Sequence, residues 1–258
     1  MNTVDKQPPG AISVDNLPVT RASIADIWRV PVTVWRARKA LDADDLGTAR
    51  TLVAPLLGRF GSVTLVRKIA AEILYASGDP LSAASLFEQV AKRLPRDRAA
   101  VVGLVASYAA LNRAGDARRS AALLPANVDV GLALAWSELV ALGGDPSRGS
   151  ALLAEIANDP DLERSTERVA MRHALDAIVS ARAGDRDAVR AKLRTAEDGA
   201  PKLRAGDRAF LGYLGGIALR EAGLVDDARA TFALAMEASP ESIGAALARR
   251  ERANMGPL

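Results

Sequence analysis

Two stretches of this chain repeat one sparse pattern. They are GDPLSAASLFEQVAKRLP (Gly78 to Pro95) and GLVDDARATFALAMEASP (Gly223 to Pro240). Each opens on Gly and closes on Pro. Each has Ala in the sixth place (Ala83, Ala228) and Phe in the tenth (Phe87, Phe232). A small or branched apolar residue, Val90 or Ala235, holds the thirteenth. A pattern written twice implies a repeated supersecondary unit, which cannot bury its apolar face alone and must stack on its neighbours.

The rest of the chain fits that constraint. From Val32 onward, helical periodicity is interrupted by short breaks: DADD at Asp42, SGDP at Ser77, RAGDA at Arg113, LGGDP at Leu142, RAGDR at Arg182 and EAGLVD at Glu221. Longer breaks lie between them: LPRD, LPANVD, NDPD, GAPK and ASPES. No strand-like alternation accompanies them. Taking Asp44, Gly78, Gly115, Gly144, Gly184 and Gly223 as the turning points gives spacings of 34, 37, 29, 40 and 39 residues. Gly suits a helix C-cap with a left-handed backbone, and a neighbouring Asp can cap the next helix. Each unit therefore reads as helix, tight turn, helix. Before this region, Ser23 and Asp26 can cap a short helix that runs to Val30, with Pro31 ending it or starting the next.

These residues resemble the tetratricopeptide repeat family, whose units are helix pairs of about 34 residues. One unit carries Gly216, Ala228, Phe232, Ala235 and Pro240, and another carries Ala71, Ala83, Phe87, Val90 and Pro95. A looser unit has Ala177, Leu193, Ala196 and Pro201. A first one has Ala37, Ala49, Val53 and Leu56. The resemblance covers roughly residues 32 to 240. It implies an all-α, right-handed αα-hairpin solenoid of five to six such pairs. Residues 1–22 then form a tail, 23–240 the repeat array, and 241–258 a capping helix with a short tail. In that cap, Ser242, Ile243, Ala246 and Leu247 cover the last repeat, while Arg249, Arg250, Glu251 and Arg252 face water.

The family register also implies a concave groove lined by the first helix of each pair. It turns Arg38, Lys68, Glu72, Tyr75, Asn112, Phe210, Tyr213, Ile217 and Arg220 toward a partner, with Leu41, Glu138, Met171 and Ile178 beside them. A groove of that mixed character suits an apolar or amphipathic segment of another protein. The expected function is thus an adaptor or scaffold, not an enzyme, with no cofactor and no metal.

Composition agrees with a packed helical chain: 49% hydrophobic, 25% charged and only 4% aromatic. There is no Cys, which excludes disulfides, thiolate metal sites and cysteine catalysis. The N-terminal stretch MNTVDKQPPGAISVDNLP shows no apolar core of a signal peptide. The most apolar run, Ala99 to Leu111, is too short for a membrane span. A cytoplasmic protein is expected.

Other chemistry is weaker. His173 is the only histidine, so a His-rich metal site is excluded, although Asp176 could pair with it. The glycines of LGYLGG lack the spacing and preceding strand of a phosphate loop, and Gly216 reads as a packing site. The stretch from Ala22 to Leu41 is similar to a bacterial helix-turn-helix in its IADI and TVWR pieces. The segment between them is too short for a turn and a recognition helix, and Trp28 and Trp35 read as packing the first helices together. Arg182, Arg186, Arg190 and Arg194 recur every fourth residue. That stripe leaves open a docking face for nucleic acid or an acidic partner, and an accessory or catalytic subunit of an enzyme complex is the other alternative.

Overall fold

The computed structural model describes residues 24–256, and all regular structure among them is helical. The expected tail, Ser23 and the side chain of Trp28 lie outside the described residues. Six helix pairs follow in order. They are α1 (Ile24–Asp42) with α2 (Leu46–Phe60), α3 (Thr64–Ala76) with α4 (Pro80–Arg93), and α5 (Arg98–Ala110) with α6 (Ala114–Ala121). Next come α7 (Val128–Val140) with α8 (Pro146–Ile156), α9 (Thr166–Arg182) with α10 (Arg186–Asp198), and α11 (Ala205–Glu221) with α12 (Val225–Ala238). A final helix, α13 (Ile243–Asn254), packs on α11 and α12. Each helix packs on its neighbours in sequence, and first helices pack on first helices.

One turn is repeated five times. Asp44, Gly78, Asn112, Gly184 and Gly223 have φ of 59–78°. Each donates its amide three residues back, and the following residue donates five residues back, as Asp79 does to Leu74 at 2.9 Å. This paired bonding satisfies carbonyls that a helix end leaves free. The left-handed residue of the third turn is Asn112, not Gly115, which lies inside α6. After Gly, Asn is among the residues that adopt that conformation most readily. The first three turning points are therefore evenly spaced at 34 residues. Asp45, Asp79 and Asp185 then cap α2, α4 and α10 through their carboxylates, as expected of an Asp beside the turn.

Two expectations near the start change. α1 continues through Pro31, whose exposed ring faces water, so no break occurs there. Trp35 is exposed rather than packed, because it lies on the side of α1 that no other described helix covers. The Lys39 ammonium sits 5.5 Å from its ring centre.

Small residues set the packing distances. A Cβ on Gly103 of α5 would lie 2.4 Å from the ring of Phe87, so Phe87 plugs the gap toward the next pair. A Cβ on Gly216 would lie 2.3 Å from the ring of Phe232, within one pair. Ala228 is fully buried on the same helix as Phe232. Ala228→Leu should overpack this contact and cost about 1–3 kcal/mol of unfolding free energy in a urea titration. Ala230→Leu, on the exposed side of α12, serves as the neutral control.

The two ends of the array meet. The Asp44 carboxylate accepts from the Gly206 amide at 2.9 Å and the Ser239 hydroxyl at 3.2 Å. Arg250 donates to the carbonyl of Ala110 at 3.0 Å. Ala246 abuts Gly78, where an added Cβ would lie 3.1 Å away. Arg250 is therefore half-buried, and Glu251 turns inward to pair with Arg220. The expectation that both face water fails because α13 lies between the last pair and the early turns.

Candidate binding cavity

Closure of the array leaves a central cavity of about 700 Å³. All six first helices contribute to it: Leu41 from α1, Tyr75 from α3, Val102 from α5, Leu132 from α7, Met171 from α9 and Phe210 from α11. Ile243 of α13 completes the wall. These side chains recur on the inner stripe of each helix because the same stripe faces inward in successive pairs.

An aromatic group closes the floor. Trp136 meets Phe210 edge-on with centroids 4.8 Å apart, and meets Tyr213 at 6.4 Å. Phe210 and Tyr213 are 5.8 Å apart. Burial pushes the Tyr213 hydroxyl up to about 12, and Tyr75 rises further for the same reason. Both stay neutral phenols. The Trp136 indole N–H is buried beside the Tyr213 hydroxyl, short of a well-aligned hydrogen bond.

The charged residues around the cavity are mostly paired. Arg38 contacts Glu72 and lies 3.7 Å from Asp42. Arg168 grips Asp129 with two bonds, at 2.7 and 3.0 Å, and Arg98 reaches the same carboxylate at 2.8 Å. Arg204 grips Asp207 at 2.8 and 3.0 Å. Glu167 is exposed and forms neither hydrogen bond nor ion pair. Its carboxyl is pushed up, first by the surrounding protein walls and then by Asp207.

Four of the residues expected at the groove line this cavity: Arg38, Glu72, Tyr75 and Phe210, with Leu41 and Met171 beside them. The other expected residues lie elsewhere. Lys68 is held at 2.7 and 2.8 Å by Asp97, the cap of α5. Asn112 forms the α5–α6 turn. Tyr213 and Ile217 are core residues, as is Ile178, because α9 and α11 are buried on more than one face. Arg220 is engaged by Glu251 of α13. Glu138 is buried against Arg118. Sequence reasoning missed Val102, Leu132, Trp136, Glu167, Arg168 and Arg204. Pairs built on α5 and α7 match the family pattern poorly, and α7 reads as an almost continuous apolar run with no stripe to orient.

The arginine stripe joins helix pairs. Arg182 binds Glu221 at 2.6 Å and the carbonyl of Leu139, Arg186 donates to the carbonyl of Ala222, and Arg190 lies 3.8 Å from Asp227. Of the four, only Arg194 makes no ion pair or hydrogen bond. His173 is half-buried, and burial followed by the nearby Arg172 shifts its titration downward. The Asp176 carboxylate lies 3.4 Å from Arg172, so no His–Asp pair forms. No group of three or more His, Asp or Glu suited to a metal ion occurs among the described residues. None of their helices is long and apolar enough to cross a membrane.

Set against protein-family models, curated proteins and solved structures, the chain matches none.

Proposed function

We propose that the chain is a tetratricopeptide-like right-handed solenoid acting as an adaptor, and that its central cavity takes a short apolar segment of a partner protein. The observation that carries this reading is the cavity of about 700 Å³ to which every first helix contributes. That volume lies within the ~300–1,000 Å³ typical of ligand pockets, enough for a few bulky side chains. Contacts of Asp44 with Gly206 and of Arg250 with Ala110 tie the two ends of the array together, which favours a short segment over a long peptide laid along an open groove. Rigid walls limit the ordering required of the protein on binding. The segment supplies apolar surface, and the half-buried Phe210 and Met171 receive it.

Photo-crosslinking tests the reading. Benzoylphenylalanine replaces Met171 in the cavity or Leu142, which is 78% exposed on the outside. Irradiation in cells should give discrete protein adducts from position 171 and not from 142. Equal adducts from both positions, or none from 171, would overturn it.

A further inference from the structure

We propose that the segment entering the cavity carries a basic side chain beside its apolar anchor, and that Glu167 receives it. The inference rests on the reading of the cavity as a site for a polypeptide segment. The cavity's lining holds six carboxylates against four guanidiniums: Asp42, Asp44, Glu72, Asp129, Glu167 and Asp207 against Arg38, Arg98, Arg168 and Arg204. Every guanidinium already has an acid. Asp129 is bound by two of them, Asp207 is held bidentately, and Asp44 is satisfied by an amide and a hydroxyl. The surplus falls on Glu167, which faces Asp207 and Asp129 as well as Arg204 and Arg168 without pairing with any.

That arrangement discriminates among segments. An acidic one meets three carboxylates and no free cation. A wholly apolar one strips water from Glu167 and returns no donor, which is unfavourable for a charged group. A Lys or Arg beside the anchor keeps Glu167 solvated by a charge-assisted bond, and Arg can do so bidentately. Recognition thus pairs an apolar anchor for the walls with a cation for the surplus acid.

The test uses the full chain and a random dodecapeptide library displayed on phage. Four baits are compared: wild type, Glu167→Gln, Glu167→Lys and Val102→Trp, the last filling the cavity. Thermal melts establish that each is folded, and Met171→Trp replaces Val102→Trp if that variant melts early. Wild type should enrich apolar clusters with Lys or Arg within two positions, about threefold above the unselected library. Glu167→Gln should keep the apolar enrichment and lose the basic one, and Glu167→Lys should favour Asp or Glu at that place. Titration calorimetry on three selected peptides should show about five- to tenfold weaker binding to Glu167→Gln. Basic residues that are not enriched, or that remain enriched on Glu167→Gln, would sink the proposal. The cavity reading would then survive if the filled variant loses the apolar peptides. Peptides retained by the filled variant, or no enrichment on any bait, would overturn both.

Discussion

Glu138→Ala lowers the unfolding free energy by about 3 kcal/mol, a large loss for the truncation of a single polar side chain. The Glu138 side chain is 0% exposed. Its two oxygens take the Nε and Nη2 of Arg118, each at 2.6 Å, and one also accepts from the Asp145 amide at 2.8 Å. Arg118 in turn donates to the carbonyl of Gly143 at 2.9 Å. This one carboxylate therefore ties α6, α7 and the α7–α8 turn together. That turn lacks the paired amide bonds of the other five; besides this network it has the Gly144 amide bond to the Ala141 carbonyl at 3.0 Å and the Asp145 cap of α8. Removing the carboxylate strands a guanidinium and an amide. The expected cost stays near the low end for a broken buried pair, because Arg118 keeps about a third of its side chain in water and can rehydrate. Glu138→Gln keeps the volume and one acceptor and should lose about half as much.

The same residue gives a pH dependence. Burial alone would raise its carboxyl, but the Arg118 bonds and the Asp145 amide outweigh that and hold it below the ordinary 4.5. Its folded value is thus lower than its unfolded one, so its contribution is complete above pH 4.5 and drains away as pH falls below that value. Urea midpoints at neutral pH and near pH 4 should therefore fall further for wild type than for Glu138→Gln. An Ala variant as stable as wild type would mean that the turn is held some other way.

The helix pairs were legible because their punctuation is chemical. Gly78, Gly184 and Gly223 sit where the backbone must turn left-handed, and Asp45, Asp79 and Asp185 beside the turns cap the next helices. Asn112 escaped because RAGDA, just after it, imitates the Gly-Asp signal, and Asn carries no comparable mark. Pro31 misled for the opposite reason: its ring disrupts a helix only where the surroundings cannot absorb the missing amide, and its face is exposed. Of the site, Arg38, Glu72, Tyr75 and Phe210 followed from the register that the family resemblance implies for α1, α3 and α11. Ring closure did not. Its contacts join residues 140 to 195 apart, as Arg250–Ala110 and Asp44–Ser239 do, and depend on small rotations accumulated across every pair. No local pattern encodes that sum, so neither the engagement of Arg220 by α13 nor the unpaired Glu167 could be read from sequence.

Gly244→Ala tests the closure itself. A methyl at Gly244 would lie 2.2 Å from the Phe210 nitrogen and 2.4 Å from the Ala209 carbonyl carbon. Those are backbone atoms, so no rotamer change relieves the clash, and α13 must lift from α11. Lifting it pulls on Ile243 in the cavity wall, on the Arg220–Glu251 pair and on the Arg250 bond to Ala110. The expected loss is about 2–3 kcal/mol, at the upper end for overpacking. Gly115→Ala is the informative contrast. It sits in α6 with only the end of Arg119 near the added methyl, at 3.7 Å, and should stabilise by about 0.5–1 kcal/mol through helix propensity. Limited trypsin digestion reads the same event locally. Cleavage at Arg249, Arg250 and Arg252 should accelerate in Gly244→Ala and not in Gly115→Ala, because a lifted α13 exposes its backbone first. If both variants resist trypsin equally, α13 is not the element that closes the array. The contact of Asp44 with Gly206 and Ser239 would then have to hold the ends together alone.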